Sequence, residues 1–108
     1  MNTQPIKIEE LDEAELHRVA NMQVGKAAVL FTTPFCGTCK VAMKMLEIVA
    51  ATNNVSYRLY TTNINFTPYF RQHWQIKSVP ALAIIENGSL VKMIYAMGSV
   101  SELYAHLK

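Results

Sequence analysis

The sequence predicts an α/β fold, in which a central four- to five-stranded mixed sheet carries helices on both faces. Two continuous apolar runs, Ala27–Phe31 and Ala81–Ile85, lack the alternation of half-exposed strands and are typical of central strands covered on both faces. Segments with the apolar spacing of helices lie between strands, which favours parallel pairing. Asn87 and Gly88 tolerate the positive φ of a tight turn and predict a final antiparallel hairpin.

Length and composition indicate one folded domain, 1–108. Of its residues 51% are hydrophobic and 17% are charged, as in globular proteins. The net charge of +2 is scattered without a basic stripe, so we expect no nucleic-acid binding. We also expect no membrane partner, because no segment approaches the roughly 20 apolar residues of a membrane helix. Residues 1–7 lack the apolar core of a signal peptide, so we expect a cytoplasmic protein, monomeric in solution.

The first elements are an edge strand and a capped helix. Residues 1–10 predict a short arm with an edge strand at Ile6–Ile8. Asp12 and Glu15 have the side chains of a capping box, which predicts a helix that begins near Asp12 and ends at Gly25. Four residues with helical spacing form its predicted inner face: Leu16, Val19, Ala20 and Val24.

A second helix follows the strand Ala27–Phe31. It is predicted to begin at or just before Cys36, to end at Asn53 and Asn54, and to be mostly buried. Seven residues form its predicted inner face: Val41, Ala42, Met45, Leu46, Ile48, Val49 and Thr52.

The middle of the chain predicts a strand and a short helix. The segment Val55–Tyr60 alternates and predicts a strand, followed by a polar loop over Thr61–Asn65. Thr67 at the N-cap and Pro68 at the first helical position predict a helix that runs to about Trp74.

The last elements follow the strand Ala81–Ile85. The hairpin predicts a returning strand over Leu90–Ala96, and Gly98 then breaks the chain. Ser99 and Glu102 have capping-box spacing and predict a final helix. Its predicted inner face consists of four residues: Val100, Leu103, Tyr104 and Leu107.

The two cysteines of the sequence, Cys36 and Cys39, have C-x-x-C spacing at the start of the second helix. Zinc ribbons, haem sites and redox proteins all use this spacing. Structural zinc needs four ligands, and the chain adds only histidines from three different predicted helices. These histidines lack metal-binding spacing: His17, His73 and His106. A dimer that shares two such pairs around a metal or an iron–sulfur cluster remains an alternative.

Several marks in this order resemble thioredoxin and its relatives over nearly the whole chain. They are the strand Ala27–Phe31, the segment Phe35–Lys40, Val79-Pro80 directly before a strand, Asn87-Gly88, and Gly98 before the last helix. The resemblance implies a thioredoxin fold with a cis bond before Pro80. It also implies thiol–disulfide exchange with protein disulfide substrates, no cofactor beyond the dithiol, no metal, and recycling by a separate reductase.

By this resemblance Cys36 is the exposed nucleophile and Cys39 the buried resolving thiol. A helix N-terminus favours the thiolate and lowers its pKa from about 8.5, which suits Cys36. The resemblance also implies a substrate-binding surface around this pair. It consists of Phe35 as an apolar flank, Gly37 and Thr38 with little bulk, Val79 with backbone groups for an extended peptide, and Pro80.

Four positions depart from the family pattern. Leu30 stands where the family has a buried acid, Thr61 where it has the paired lysine, Lys44 where a proline kinks the helix, and Thr32 where a tryptophan is usual. The Gly-Thr dipeptide between the cysteines replaces Gly-Pro. We therefore expect weaker general reductase activity than a typical thioredoxin has. The alternative is a thioredoxin scaffold that docks a partner or a metal with weak or no turnover.

Overall fold

The structure, a computed structural model, describes residues 6–108. Its elements in chain order are β1 (Ile8–Glu10), α1 (Glu13–Ala20), β2 (Lys26–Thr32), α2 (Gly37–Ala51), β3 (Arg58–Asn63), a short 3-10 helix (Ile64–Phe66), α3 (Pro68–His73), β4 (Ala81–Glu86), β5 (Ser89–Ile94) and α4 (Val100–Leu107). The predicted edge strand exists but lies two residues later than Ile6–Ile8. The rest of the predicted arm, residues 1–5, lies outside the described residues.

The five strands form one mixed sheet in the order β1-β3-β2-β4-β5. β3 is parallel to both β1 and β2, whereas β4 is antiparallel to β2 and to β5. Alternate residues of β2 belong to two hydrophobic cores, one on each face of the sheet. Phe31 packs with residues of α1 and α3, and Leu30 packs with residues of α2 and α4. The predicted mixed sheet with helices on both faces is confirmed, as is the burial of both apolar central strands.

The cap of α1 is confirmed, but its end is not. The backbone N–H of Glu15 donates to Asp12 at 2.8 Å, and the Glu15 carboxylate accepts from the Asp12 N–H at 3.0 Å. The helix ends at Ala20, before Gly25. Val24 therefore lies beyond the helix and is 83% exposed, so its prediction as a core residue was wrong.

α2 buries one stripe rather than most of its surface. Its buried residues are Cys39, Ala42, Leu46, Val49 and Ala50. Val41, Ile48 and Thr52, all predicted to face the core, are exposed. The prediction was wrong because a surface helix faces its sheet with one side only, and the 3.6-residue period carries Val41 and Ile48 around to the other side. Thr52 is the C-cap, beyond the last residue of the helix.

β3 begins and ends later than predicted. Thr61, predicted in a loop, pairs with Glu10 of β1 and with Leu30 of β2. Its hydroxyl donates to the Leu30 carbonyl oxygen at 3.0 Å, and the Thr62 hydroxyl donates to the Leu11 carbonyl oxygen at 2.7 Å. These bonds remove the cost of burying polar side chains, so a polar segment continues the strand.

The remaining local signals are largely confirmed. Asn87 and Gly88 have φ of 51° and 82° and close the β4–β5 hairpin. Ser99 caps α4 by accepting from the Glu102 N–H at 3.1 Å. Thr67 precedes α3 as predicted, but its side chain makes no cap bond. The returning strand ends at Ile94 rather than at Ala96. No helix within residues 6–108 is long and apolar enough to cross a membrane.

Candidate active site

Cys36 and Cys39 lie where the chain leaves β2 and enters α2, at the end of the sheet to which the parallel strands point. Cys36 is the N-cap of α2, with extended φ and ψ of −116° and 109°, and Cys39 lies in the first turn. Their sulfur atoms form a disulfide, and their Cα atoms are 5.1 Å apart. Cys36 is half-buried, whereas Cys39 is 2% exposed. The pair therefore presents one sulfur outward and keeps the other inside.

The environment of Cys36 favours a negative charge on its sulfur. The Cys39 backbone N–H donates to Cys36 Sγ at 3.1 Å, in the manner of an N-cap bond. The Thr38 hydroxyl lies 3.3 Å from the same sulfur. The first turn of α2 contains no acidic residue that would oppose the positive end of the helix dipole. Each of these groups favours a negative charge on Cys36 Sγ.

The residues predicted to bind substrate surround Cys36. The Val79 carbonyl oxygen lies 4.0 Å from Cys36 Sγ, and the Val79–Pro80 peptide bond is cis. Phe35 is 100% exposed. A Cβ atom added at Gly37 would meet no atom within 4 Å, so the space beside Gly37 is open.

An apolar groove of about 460 Å³ begins at Thr38, between the two cysteines in sequence, and lies between α2 and the segment that follows β5. Thr38, Val41 and Met45 line one side, and Pro80, Tyr95 and Met97 line the other. Val41, predicted from the sequence to face the core, instead lines this groove. Val41 and Met45 lie three and seven residues after Thr38, and this helical spacing was the signal that links them to the active-site turn.

Two of the four departures from the family pattern are neighbours in the sheet. Leu30 and Thr61 are paired in register between β2 and β3. Leu30 is 1% exposed and packs in the core beneath α2, together with Ala42 and Leu46. Leu30 therefore presents to α2 an alkyl group that cannot exchange a proton.

Tyr57 carries a shifted pKa at the opposite end of the sheet. Its hydroxyl donates to Glu86 at 2.6 Å. This bond, with partial burial and the nearby negative charge, raises the pKa of Tyr57 from 10.0 to about 12. The start of β2 and the end of β4 flank this pair, so it stabilises the end of the fold remote from the cysteines.

The described residues hold no cluster of three or more histidine, cysteine, aspartate or glutamate side chains placed to bind a metal ion. His17 and His73 both contact the ring of Tyr69, and His106 lies 3.4 Å from the Lys92 ammonium. Within residues 6–108, the cysteines therefore lack the further ligands of a complete structural zinc site.

Comparison with known proteins places this arrangement in a family. The family model described as Thioredoxin matches residues 7–108. The thioredoxin-like protein YusE of Bacillus subtilis (strain 168) is 35% identical over 99 residues, which cover 91% of this chain and 92% of that protein.

Solved structures share the fold at lower identity. The N21Q mutant thioredoxin from Halobacterium salinarum NRC-1 matches with a TM-score of 0.82 and 15% identity, over 99% of this chain and 93% of that chain. Mitochondrial thioredoxin 3 from Saccharomyces cerevisiae, in its oxidized form, matches with a TM-score of 0.77 and 18% identity, over 93% and 92% of the two chains. The predicted thioredoxin fold is confirmed. With its C-x-x-C pair, this chain belongs to the thioredoxin family.

Proposed function

We propose that this protein is a thiol–disulfide oxidoreductase that exchanges disulfides with protein substrates through Cys36 and Cys39. The observation that carries the proposal is the asymmetry of the pair. Cys36 is reachable and receives an N–H bond at 3.1 Å, whereas Cys39 is 2% exposed within disulfide-forming distance of it. An accessible, stabilised thiolate can attack a partner, and an enclosed neighbour can only attack that first cysteine.

The reaction proceeds in two exchanges. In the reduced protein the Cys36 thiolate attacks one sulfur of a substrate disulfide, and the other substrate sulfur leaves as a thiolate. Cys39 then loses its proton and attacks Cys36 Sγ, which releases the second substrate sulfur. Two electrons pass from the dithiol to the substrate, and the Cys36–Cys39 disulfide is the product. A separate reductase must return two electrons to this disulfide before the next turnover.

Protein substrates fit the surroundings of Cys36. A carbonyl group at Val79, 4.0 Å from Cys36 Sγ, suits an extended peptide that pairs with the backbone beside the reacting sulfur. The groove along Val41 and Met45 suits an apolar side chain of that peptide. Phe35, fully exposed, adds an apolar flank on the other side.

We expect this activity to be weaker than that of a typical thioredoxin. The second exchange needs a Cys39 thiolate, and Leu30 stands where the family pattern has a buried acid. A standard thioredoxin assayed in parallel for insulin reduction should be faster. Equal turnover of the two proteins would contradict this expectation.

Insulin reduction driven by dithiothreitol tests the proposal itself. The wild-type protein should accelerate the precipitation of insulin chains, and Cys36→Ser should abolish the acceleration. Cys39→Ser should instead accumulate a covalent adduct with a disulfide-containing peptide, and the Cys36→Ser, Cys39→Ser double variant should form none. A wild-type protein without acceleration or adducts would favour the alternative of a docking module. The cytoplasmic location and the monomeric state stay predictions.

A further inference from the structure

We propose that Glu10 accepts the proton of Cys39 during the second exchange, across a cavity that both residues line. This inference rests on the proposed function, since it concerns the resolving step of that reaction. The step needs a proton acceptor because a buried thiol is a poor nucleophile until it ionises. Leu30 has no group that accepts a proton. The Glu10 carboxylate lies two strands away from Leu30, in the row of residues that pair across β2, β3 and β1.

The row is defined by strand register. Leu30 of β2 pairs with Thr61 of β3, and Thr61 pairs with Glu10 of β1. Paired residues of adjacent strands point to the same face of a sheet. Leu30 packs beneath α2, so Glu10 and Thr61 lie on the same face of the sheet, where Glu10 is exposed on the edge strand. Ile8, two residues before Glu10, packs into the same core and confirms this orientation.

A cavity of about 310 Å³ joins this row to the active site. Glu10 and Thr61 line it from the sheet, and Cys39 and Lys40 line it from the first turn of α2. The cavity is open at the surface and large enough for water, which can link a thiol to a carboxylate by hydrogen bonds. It lies behind Cys39, on the side away from the groove at Met45.

The Glu10 carboxylate is free to act as an acceptor. Among residues 6–108 it has no hydrogen bond or ion pair, unlike Glu15, which is held in the α1 cap. Lys40 is the other charged side chain that lines this cavity, and its positive charge favours a thiolate there. Asp12 and Glu15 line a second, adjoining cavity with Glu10, and both are engaged in the capping box.

The proton step balances within the exchange. The Cys39 S–H bond breaks and its proton passes through water to the Glu10 carboxylate. The resulting thiolate attacks Cys36 Sγ, the bond from Cys36 to the substrate sulfur breaks, and the substrate leaves as a thiolate. Protonated Glu10 then loses its proton to solvent at the open side of the cavity. The carboxylate thus moves a proton and no electron.

Stopped-flow reaction of the reduced protein with a substoichiometric amount of the aromatic disulfide 5,5′-dithiobis(2-nitrobenzoate) separates the steps. Attack by Cys36 releases one coloured thiolate, and attack by Cys39 releases the second. In Glu10→Gln the first phase should keep its rate, and the second should slow roughly a hundredfold, the low end for general acid–base catalysis. Glu10→Gln should also change the dependence of the second phase on pH, whereas the first phase should keep its own.

Two matched variants complete the test. Glu9→Gln removes the same charge from the opposite face of β1 and should leave both phases unchanged. Glu10→Asp keeps the carboxylate and should restore most of the second phase. A Glu10→Gln protein with a wild-type second phase and pH profile would overturn the inference. A wild-type protein that releases no first thiolate would instead overturn the proposed function, so the two failures are distinguishable.

Discussion

Replacing Thr38 with valine should raise the pKa of the Cys36 thiol. The Thr38 hydroxyl lies 3.3 Å from Cys36 Sγ, and valine has the same shape without the hydroxyl. A hydrogen bond to a charged group contributes about 1.5–3 kcal/mol. Thr38 is exposed, so water competes, and we expect a loss of about 1 kcal/mol of thiolate stabilisation. At about 1.36 kcal/mol per tenfold change, this lowers the ratio of thiolate to thiol about fivefold at a given pH.

The ultraviolet absorbance of the thiolate, followed against pH in a Cys39→Ser background, measures this pKa for Cys36 alone. Thr38→Ser keeps the hydroxyl and should titrate like the parent protein. The Cys39 N–H bond and the helix dipole remain in every variant, so the Thr38→Val value should still lie below about 8.5. A Thr38→Val titration curve that overlays the parent curve would refute the role of the hydroxyl.

Three further substitutions test other parts of the structure. Tyr57→Phe should cost about 1 kcal/mol of stability at pH 8, since the shift from 10.0 to about 12 corresponds to about 2.7 kcal/mol before discounting for solvent exposure. A raised pKa means that the protonated phenol stabilises the fold. The wild-type protein and Tyr57→Phe should therefore differ fully in their free energy of unfolding by urea below pH 10, and this difference should vanish as the pH rises towards 12. A difference that stays constant with pH would contradict this. Val41→Gln should raise the KM for protein substrates several-fold, whereas Ile48→Gln, on the same helix but outside the groove, should not; equal effects would argue against a peptide in the groove. Leu46→Ala should lose about 2–5 kcal/mol of unfolding free energy, because Leu46 is 1% exposed beneath α2, and a loss under about 1 kcal/mol would contradict its place in the core.

Features that depend on neighbours in the chain were predictable from the sequence. The caps at Asp12 and Ser99 and the tight turn at Asn87 use side chains and backbone groups within a few residues of one another. The central strands Ala27–Phe31 and Ala81–Ile85 were recognisable because burial on both faces demands apolar residues at every position. The position of the cysteines at a helix start followed from the same local signals.

The faces of α2 and the extent of β3 depended on distant partners. α2 is apolar on more than one side, and only its packing on the sheet decides that Ala42 and Leu46 are covered while Val41 lines the groove. Thr61 and Thr62 have no apolar alternation, and they become strand residues because Leu30 and Leu11 accept their hydroxyl bonds.

The sequence by itself therefore determined the chemistry class, through two cysteines at the start of a helix. It did not determine what surrounds the buried sulfur. Glu10, Thr61 and Cys39 are far apart in the chain, and strand register brings the first two together on the face that α2 covers. Register is a long-range choice, made when whole strands pair and bury one face together, so no local pattern contains it. The tertiary structure alone placed a carboxylate behind the resolving cysteine.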